Sequence, residues 1–347
     1  MALAGAYKLF DQENDVVKNI KATISSGIWS SGANTLTAGM YFTQSAQSSS
    51  TGNYFFDVYK TSPATDSEAE IQFSLAYGHL HGSGSLGTVG AATGNRASAA
   101  IHAQVVNLVL PPNKDRFTYA NSTTSKHFFV VSLKRARMRE KMDPGNWELH
   151  LSGSKKKAGD NIRLIDDSGA TTNPTSGIGG RVFNVVTGSI STGTAVINTP
   201  AATNPGGGFG LFYPDLGLIV LNADVVNASS SISVTETSNV HNTNTLEFFN
   251  GVSGGAYFQA RREEKLSSTH YFVRAGNKEF NFSNNPTFFT SSTGDFTQPT
   301  FFKDPKVYIT TVGLYNDSNE LLAVAKLSQP VLKSYSREAL IKVKLDF

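Results

Sequence analysis

The C-terminal segment from Val307 to Phe347 constrains the fold most, because its apolar residues recur with a period of two. Val307 to Leu327 contains two apolar runs separated by the polar turn Asn316 to Asn319, which is the pattern of a β-hairpin. Ala339 to Phe347 then places apolar and charged residues at alternate positions, as in a strand with one buried face. We therefore predict a core hairpin, a terminal strand in the same sheet and a packed Phe347 side chain.

Composition extends the β pattern to the whole chain. Charged residues make up only 16% of the sequence, against about 25% in an average soluble domain, and 31 glycines favour a turn-rich protein. Short apolar segments recur between clusters of Gly, Pro, Asn and Asp. We predict a mainly β fold, made of antiparallel sandwich-like subdomains with a few short helices.

The absence of cysteine excludes disulfides, thiolate catalysis and cysteine-bound metals.

Net charge and hydropathy limit the classes of partner. A net charge of +3, dispersed along the chain, is too small to favour nucleic acid binding. The sequence has no run of about 18 apolar residues that could span a bilayer, and the N-terminal MALAGAYKLFDQEN lacks the pattern of a signal peptide. We expect no nucleic acid and no membrane as partners, and a protein that is made and kept in a cytoplasm.

The strongest helical signal lies in the first half of the chain. The Ala-rich segment near residues 96–110 has apolar residues at helical spacing and ends at Pro111-Pro112, which cannot continue a helix.

We predict three regions in the chain. The first is a β-rich domain in residues 1–153 that contains this helix and is completed by strands in 301–347. The second is a small β subdomain in 154–223, and the third is a mixed segment with short helices and long loops in 224–300.

His79-Leu80-His81 is the only histidine pair with the spacing of a metal site. Two imidazoles one residue apart on a strand face the same side, but a metal site requires at least a third ligand. No H-E-x-x-H motif and no aspartate-rich calcium loop occurs to supply one. We interpret the pair as a polar loop that leaves a strand, and we assign no metal-binding residues.

Carboxylate pairs occur at Asp166-Asp167 and Glu263-Glu264, where acid–base catalysis of the glycosidase type is one interpretation. Adjacent side chains point apart on both strands and helices, so these pairs indicate a turn and a solvated charge cluster. The Gly-rich run Gly206–Gly210 lacks the Lys-Ser/Thr of a phosphate-binding loop. We therefore expect a non-enzymatic protein with no catalytic residues, no cofactors and no small-molecule substrate.

The densest basic run holds Lys134, Arg135, Arg137, Arg139 and Lys141. Nucleic acid binding would require further basic patches with interleaved aromatic residues, which the sequence does not supply. An acidic protein surface is the more suitable partner for this run. We predict that these five residues belong to a protein–protein interface.

Phenylalanine usage also indicates assembly. Ten of the 23 phenylalanines occur in five doublets: Phe55-Phe56, Phe128-Phe129, Phe248-Phe249, Phe288-Phe289 and Phe301-Phe302. A doublet on a strand sends one ring to each face, so both faces need a cover, either from other elements of the chain or from a partner subunit. We predict Phe288, Phe289, Phe301 and Phe302 as partner-interface residues.

Several segments carry a resemblance to a known group of proteins. These are YITTVGLYNDSNELLAVAKLSQPVLKS followed by IKVKLDF at the C-terminus, STHYFVRAGNKEFNFSNNPTFF (Ser268 to Phe289), FYPDLGLIVLN (Phe212 to Asn222) and MDPGNWELHLSG (Met142 to Gly153). They resemble the tail and baseplate structural proteins of contractile-tailed, T4-like bacteriophages. The most similar are those of phages that infect cyanobacteria and marine bacteria. The resemblance covers most of the chain from Met142 onward.

The resemblance implies a non-enzymatic component of a phage virion, with a baseplate wedge protein as its most specific form. The implied partners are other tail and baseplate proteins and copies of the chain itself. The implied location is the virion tail, assembled in the host cytoplasm. Alternatives are a neck, collar or fibre-attachment protein, or a receptor-binding or glycan-degrading tail protein.

Overall fold

A computed structural model describes residues 7–43, 54–82, 96–169, 175–191, 194–199, 208–236, 241–290 and 293–347. Within these residues the fold is mainly β, as the sequence predicts. The chain forms two compact units. The larger unit contains residues 24–264, and the smaller unit contains the segments on either side, so the boundaries fall inside two long strands.

The strands are numbered in chain order. They are β1 (Val16–Gly27), β2 (Thr35–Thr37), β3 (Phe55–Tyr59), β4 (Ile71–His79), β5 (His127–Leu133), β6 (Lys141–Met142), β7 (Glu148–Leu151), β8 (Ile162–Asp166), β9 (Thr175–Gly177), β10 (Gly180–Ser191), β11 (Thr194–Thr199), β12 (Gly210–Tyr213), β13 (Leu218–Asn222), β14 (Tyr257–Gln259), β15 (Arg261–Ala275), β16 (Val307–Tyr315), β17 (Leu321–Lys333) and β18 (Ala339–Asp346). The α-helices are α1 (Arg96–Val109), α2 (Arg135–Met138), α3 (Ala223–Ser229) and α4 (His241–Gly255).

The larger unit is built on one extended sheet. Its strand order is β2-β14-β7-β8-β10-β12-β13-β5-β4-β3, with β9 and β11 also paired to β10. The strand β5 lies between β4 and β13 and pairs antiparallel with both. This pairing sets His79 opposite His127 and Asn222 opposite Phe128, which brings three chain segments together at one end of β5.

The strand β5 is buried on both faces of the sheet. Phe129 stacks on Phe248 of α4, with ring centroids 4.4 Å apart. Phe128 points to the opposite face, where its ring lies 5.2 Å from that of Phe117 and 5.2 Å from that of His102 on α1. Each helix therefore covers one face, so this doublet is enclosed by elements of its own chain.

The helix predicted near residues 96–110 is confirmed as α1, which ends at Val109, two residues before the double proline. The proline rings exclude the helical conformation from the residues before them, which explains the end point. Val106 and Val109 are buried in the cluster that contains Phe128. Among the described residues, no helix has both the length and the apolar character needed to cross a bilayer.

The smaller unit contains the C-terminal strands. The predicted hairpin is confirmed as β16 and β17, and the terminal strand as β18. The prediction that they share a sheet is wrong, because β18 pairs with β15 over eight residues, whereas β16 and β17 form a separate two-stranded sheet. Val312 and Leu314 of the hairpin instead pack against Val343 of β18, as in a small sandwich.

The C-terminal residue also differs from the prediction. The Phe347 side chain is 72% exposed, although its backbone N–H donates to the Ser267 carbonyl at 2.9 Å. The pairing of Asp346 with Ser268 is the last of the ladder between β18 and β15, so the ring lies beyond the buried part of that ladder. The chain end is held by its backbone and not by its side chain.

The division of the chain differs from the three predicted regions. The strands β7 and β8 lie on opposite sides of the predicted boundary after residue 153, yet they pair in one sheet. The strands β12 and β13 of the predicted small subdomain belong to the same sheet as well. The physical reason is that strand pairing depends on non-local hydrogen bonds, which the turn-rich connectors do not reveal.

Replacing Phe129 with Ala tests the importance of the stacked pair. We expect Phe129→Ala to lower the free energy of unfolding of the larger unit by about 3–5 kcal/mol, because it leaves a cavity between β5 and α4. Phe55→Ala is the matched control, since Phe55 is 47% exposed. Urea unfolding followed by tryptophan fluorescence measures both, because Trp29 and Trp147 lie in this unit. Equal losses for the two variants would contradict the account.

Candidate functional site

Four ionisable side chains converge where β4, β5 and α3 meet. His79 ends β4 and His127 begins β5, directly opposite one another. The strand β13 pairs with β5 and leads at once into α3, which places Asp224 next to His127. Glu236 lies in the segment after α3, and its carboxylate lies near both His79 and His127. We refer to His79, His127, Asp224 and Glu236 as the His–carboxylate cluster.

The distances in this cluster are short. The Nε2 atom of His127 lies 2.8 Å from Oδ1 of Asp224 and 3.7 Å from Oε1 of Glu236. The Nε2 atom of His79 lies 3.5 Å from the other oxygen, Oε2, of Glu236. One potential ligand atom each from His127, Asp224 and Glu236 lies within 4.8 Å of the others, so these three residues could hold a metal ion.

A second layer of hydrogen bonds fixes the orientation of the cluster. The Tyr77 hydroxyl lies 2.8 Å from Nδ1 of His127, and the Ser125 hydroxyl donates to Oδ2 of Asp224 at 2.6 Å. The His81 backbone N–H donates to Nδ1 of His79 at 3.1 Å. The side chain of Asn222 caps α3 by accepting a hydrogen bond from the Asp224 N–H, which places Asp224 in the first turn of that helix.

Burial differs between the two halves of the cluster. The imidazoles of His79 and His127 are buried, whereas the side chains of Asp224 and Glu236 are 55% and 52% exposed. The hydrogen bond from His127 lowers the pKa of Asp224, and the Ser125 hydroxyl adds to that effect. Burial raises the pKa of the Tyr77 hydroxyl. At neutral pH the Asp224 carboxylate is therefore ionised, and the neighbouring Tyr77 hydroxyl keeps its proton.

Sequence reasoning found only His79 in this cluster. His81, the other member of the predicted pair, is exposed, and its ring centroid lies 5.9 Å from that of His79. The remaining members come from β5, from α3 and from the segment after α3. Local spacing cannot identify them, because only the pairing of β5 with β4 and β13 brings them together.

The predicted carboxylate pairs each make contacts within the chain. Asp166 is buried and accepts hydrogen bonds from the N–H groups of Gly145 and Ser168, and burial raises its pKa. Asp167 accepts from the backbone and side-chain nitrogens of Asn184. These bonds organise a turn and a strand end, in agreement with the turn interpretation.

The basic run faces carboxylates of its own chain. Arg137 forms an ion pair with Glu70. Arg139 pairs with Glu264 at 3.1 Å, and Lys141 pairs with Glu263 at 3.3 Å, so the second carboxylate pair is also engaged. The two remaining residues, Lys134 and Arg135, are exposed, and Arg135 donates to the Asp215 carbonyl at 3.2 Å. A role for this run in a protein–protein interface stays a prediction.

Three of the four predicted interface phenylalanines pack on other rings. Phe288 is buried and stacks on Phe301 with centroids 5.2 Å apart, and Phe289 stacks on Phe282 at 5.9 Å. Phe302 is 81% exposed. Of these four residues, Phe302 offers the largest free surface for a partner.

Several large apolar side chains are exposed on the hairpin of β16 and β17. Among them are Tyr308, Tyr315, Leu321, Leu322 and Val324, with exposed fractions between 53% and 67%. We refer to these five residues as the outer hairpin face. Gly313 lies opposite Val324, and a Cβ atom at Gly313 would come within 2.9 Å of the Tyr315 ring, so that ring lies across the glycine.

Comparisons with family models, with curated protein sequences and with solved structures find no match to this chain.

Near the cluster, a further histidine is buried on α1. The His102 ring lies against Phe128, and its Nε2 atom has no hydrogen-bond partner among the described residues. Burial lowers the pKa of His102 to about 4, while Asp115 raises it and Arg116 and His81 lower it further. The folded state therefore keeps this imidazole neutral.

This burial predicts a pH-dependent stability. Between pH 6.5 and pH 4 the unfolded chain binds a proton at His102 that the folded chain excludes, so stability falls as the pH falls through this window. We expect a loss of about 3 kcal/mol in the wild type that His102→Leu does not suffer. Urea unfolding at pH 7 and pH 4 measures both proteins. An identical pH dependence in the two proteins would refute this assignment.

Proposed function

We propose that this chain is a non-enzymatic structural subunit of a contractile-tailed bacteriophage particle, with a baseplate wedge protein as the most specific assignment. The observation that carries the proposal is the outer hairpin face, which leaves five large apolar side chains more than half exposed. Exposed apolar side chains grouped on one element are typical of protein interaction sites. Its partners would be other tail or baseplate proteins, or copies of the chain itself.

The chemistry of the outer hairpin face suits a lasting protein interface. Covering an aliphatic side chain contributes about 1.5–3 kcal/mol, and the two tyrosines add amphipathic rings of the type enriched at interfaces. The charged Lys326 lies opposite Thr311, between Tyr308 and the other four residues along the hairpin. Those four residues lie together at the turn end of the hairpin, and they are the part of the face that another subunit would cover.

The hairpin can present this face without rearrangement. Its inner residues Val312 and Leu314 pack against Val343 of β18, so the outer residues are held on an ordered sheet. The hairpin forms a two-stranded sheet of its own among the described strands, and each strand therefore has an edge that a partner strand could pair with. Both modes of association involve the same segment.

This segment is also the one with the most extensive sequence resemblance. The residues from Tyr308 to Ser334 that resemble phage tail proteins form most of β16 and β17. The resemblance concerns residue identity, whereas the apolar surface concerns solvent exposure. Their coincidence in one hairpin supports an assembly role for that hairpin.

A double substitution on the outer hairpin face tests the proposal. Leu322→Thr with Val324→Thr removes apolar surface while keeping residues that favour strands. We expect unchanged unfolding, because both residues are exposed, and a fall in incorporation into particles of roughly tenfold or more. Ile178→Thr is the matched control, since Ile178 is an aliphatic residue that is 63% exposed on the larger unit.

The measurement uses a phage that lacks this gene, complemented from a plasmid. Mass spectrometry of purified particles then gives the copy number of the wild-type, control and double-variant chains. Two results would reject the proposal: a wild-type chain that is absent from the particles, or a double variant that enters them at the wild-type level.

A further inference from the structure

We propose that the His–carboxylate cluster binds one divalent transition-metal ion, through Nε2 of His127 and one carboxylate oxygen each of Asp224 and Glu236. This site is independent of the assembly role proposed above. Residues from β5, from α3 and from the segment after α3 supply the three ligands. A bound ion would therefore join the start of β5 to α3 and to the segment that follows α3.

The ligand spacing fits such an ion. A tetrahedral ion at about 2.1 Å from each ligand separates neighbouring ligand atoms by about 3.4 Å. The observed separations from Nε2 of His127, 2.8 Å to Asp224 and 3.7 Å to Glu236, lie on either side of this value. Both carboxylates are half-exposed, so small side-chain rotations are enough to close the site around an ion.

The second layer matches the surroundings of metal-bound histidines. Such an imidazole coordinates through one nitrogen, while its other nitrogen is hydrogen-bonded. The Tyr77 hydroxyl provides this partner for Nδ1 of His127, and it can accept a hydrogen bond as readily as it donates one. Metal binding at Nε2 then requires only that the imidazole proton move to Nδ1. The Ser125 hydroxyl holds Oδ2 of Asp224 and leaves Oδ1 for the ion.

His79 orients a ligand and does not bind the ion itself. Its Nδ1 atom accepts the backbone N–H of His81, so the neutral ring carries its proton on Nε2, which faces Glu236 at 3.5 Å. A protonated nitrogen has no lone pair for a metal. His79 is therefore a positioning residue that directs the second oxygen of Glu236 and leaves the first, Oε1, near His127.

The donor set selects the class of ion. One imidazole nitrogen with two carboxylate oxygens suits Zn²⁺ and neighbouring transition ions, whereas Ca²⁺ and Mg²⁺ prefer oxygen ligands alone. The exposure of Asp224 and Glu236 leaves a fourth position open to water. Each carboxylate contributes one negative charge, which a divalent cation between them offsets.

Zinc titration of the full chain tests the site. Isothermal titration calorimetry with ZnCl₂ should give one strong site per wild-type chain. Glu236→Gln and Asp224→Asn should each weaken binding by roughly tenfold or more, because the loss of even an outer hydrogen bond costs a metal site that much. Glu68→Gln, which removes an exposed carboxylate at the opposite end of β4, should bind zinc like the wild type.

Two further measurements prevent misfolding from being mistaken for lost binding. Circular dichroism of the metal-free variants should match that of the wild type, because both substituted side chains are half-exposed. X-ray absorption of the zinc-loaded wild type should give one imidazole nitrogen with oxygen ligands at about 2.0–2.2 Å. The proposal is overturned if the wild type binds no zinc, if both variants bind it unchanged, or if the spectrum contains oxygen ligands alone.

Discussion

The stacking of Phe129 on Phe248, with Phe128 on the other face of β5, is the interaction on which the larger unit depends. A central strand with large rings on both sides cannot face water on either side, so each face of the sheet needs a helix. The helices α1 and α4 provide these covers. This core is closed by its own chain, whereas the outer hairpin face of the smaller unit leaves large apolar side chains exposed.

The sequence predicted those elements whose signals are local. The hairpin of β16 and β17 could be identified because its apolar residues have a period of two on either side of a polar turn, and α1 because a double proline ends it. The partner of β18 could not be identified, since a strand's own pattern gives the face that it buries but not the strand with which it pairs. The exposure of Phe347 follows from that pairing and was missed for the same reason.

The candidate site was less predictable than the fold. His79 could be singled out from its spacing to His81, but His127 and Asp224 reach it only through the antiparallel pairing of β4, β5 and β13.

The partners of the basic run also could not be identified from local sequence. Five closely spaced cations indicate a partner surface, yet Glu70, Glu263 and Glu264 supply acidic partners from distant parts of the chain. Charge pairing across a sheet leaves no local trace in sequence.

The proposed role in a phage tail combines a closed core, an ordered hairpin with an apolar outer face, and a sequence resemblance in that same hairpin. The most direct test is a cryo-electron microscopy map of the intact particle at side-chain resolution. The account predicts density for this chain in the tail, with the outer hairpin face covered by a neighbouring subunit. A map in which that face points into solvent, or in which the chain is absent, would contradict it.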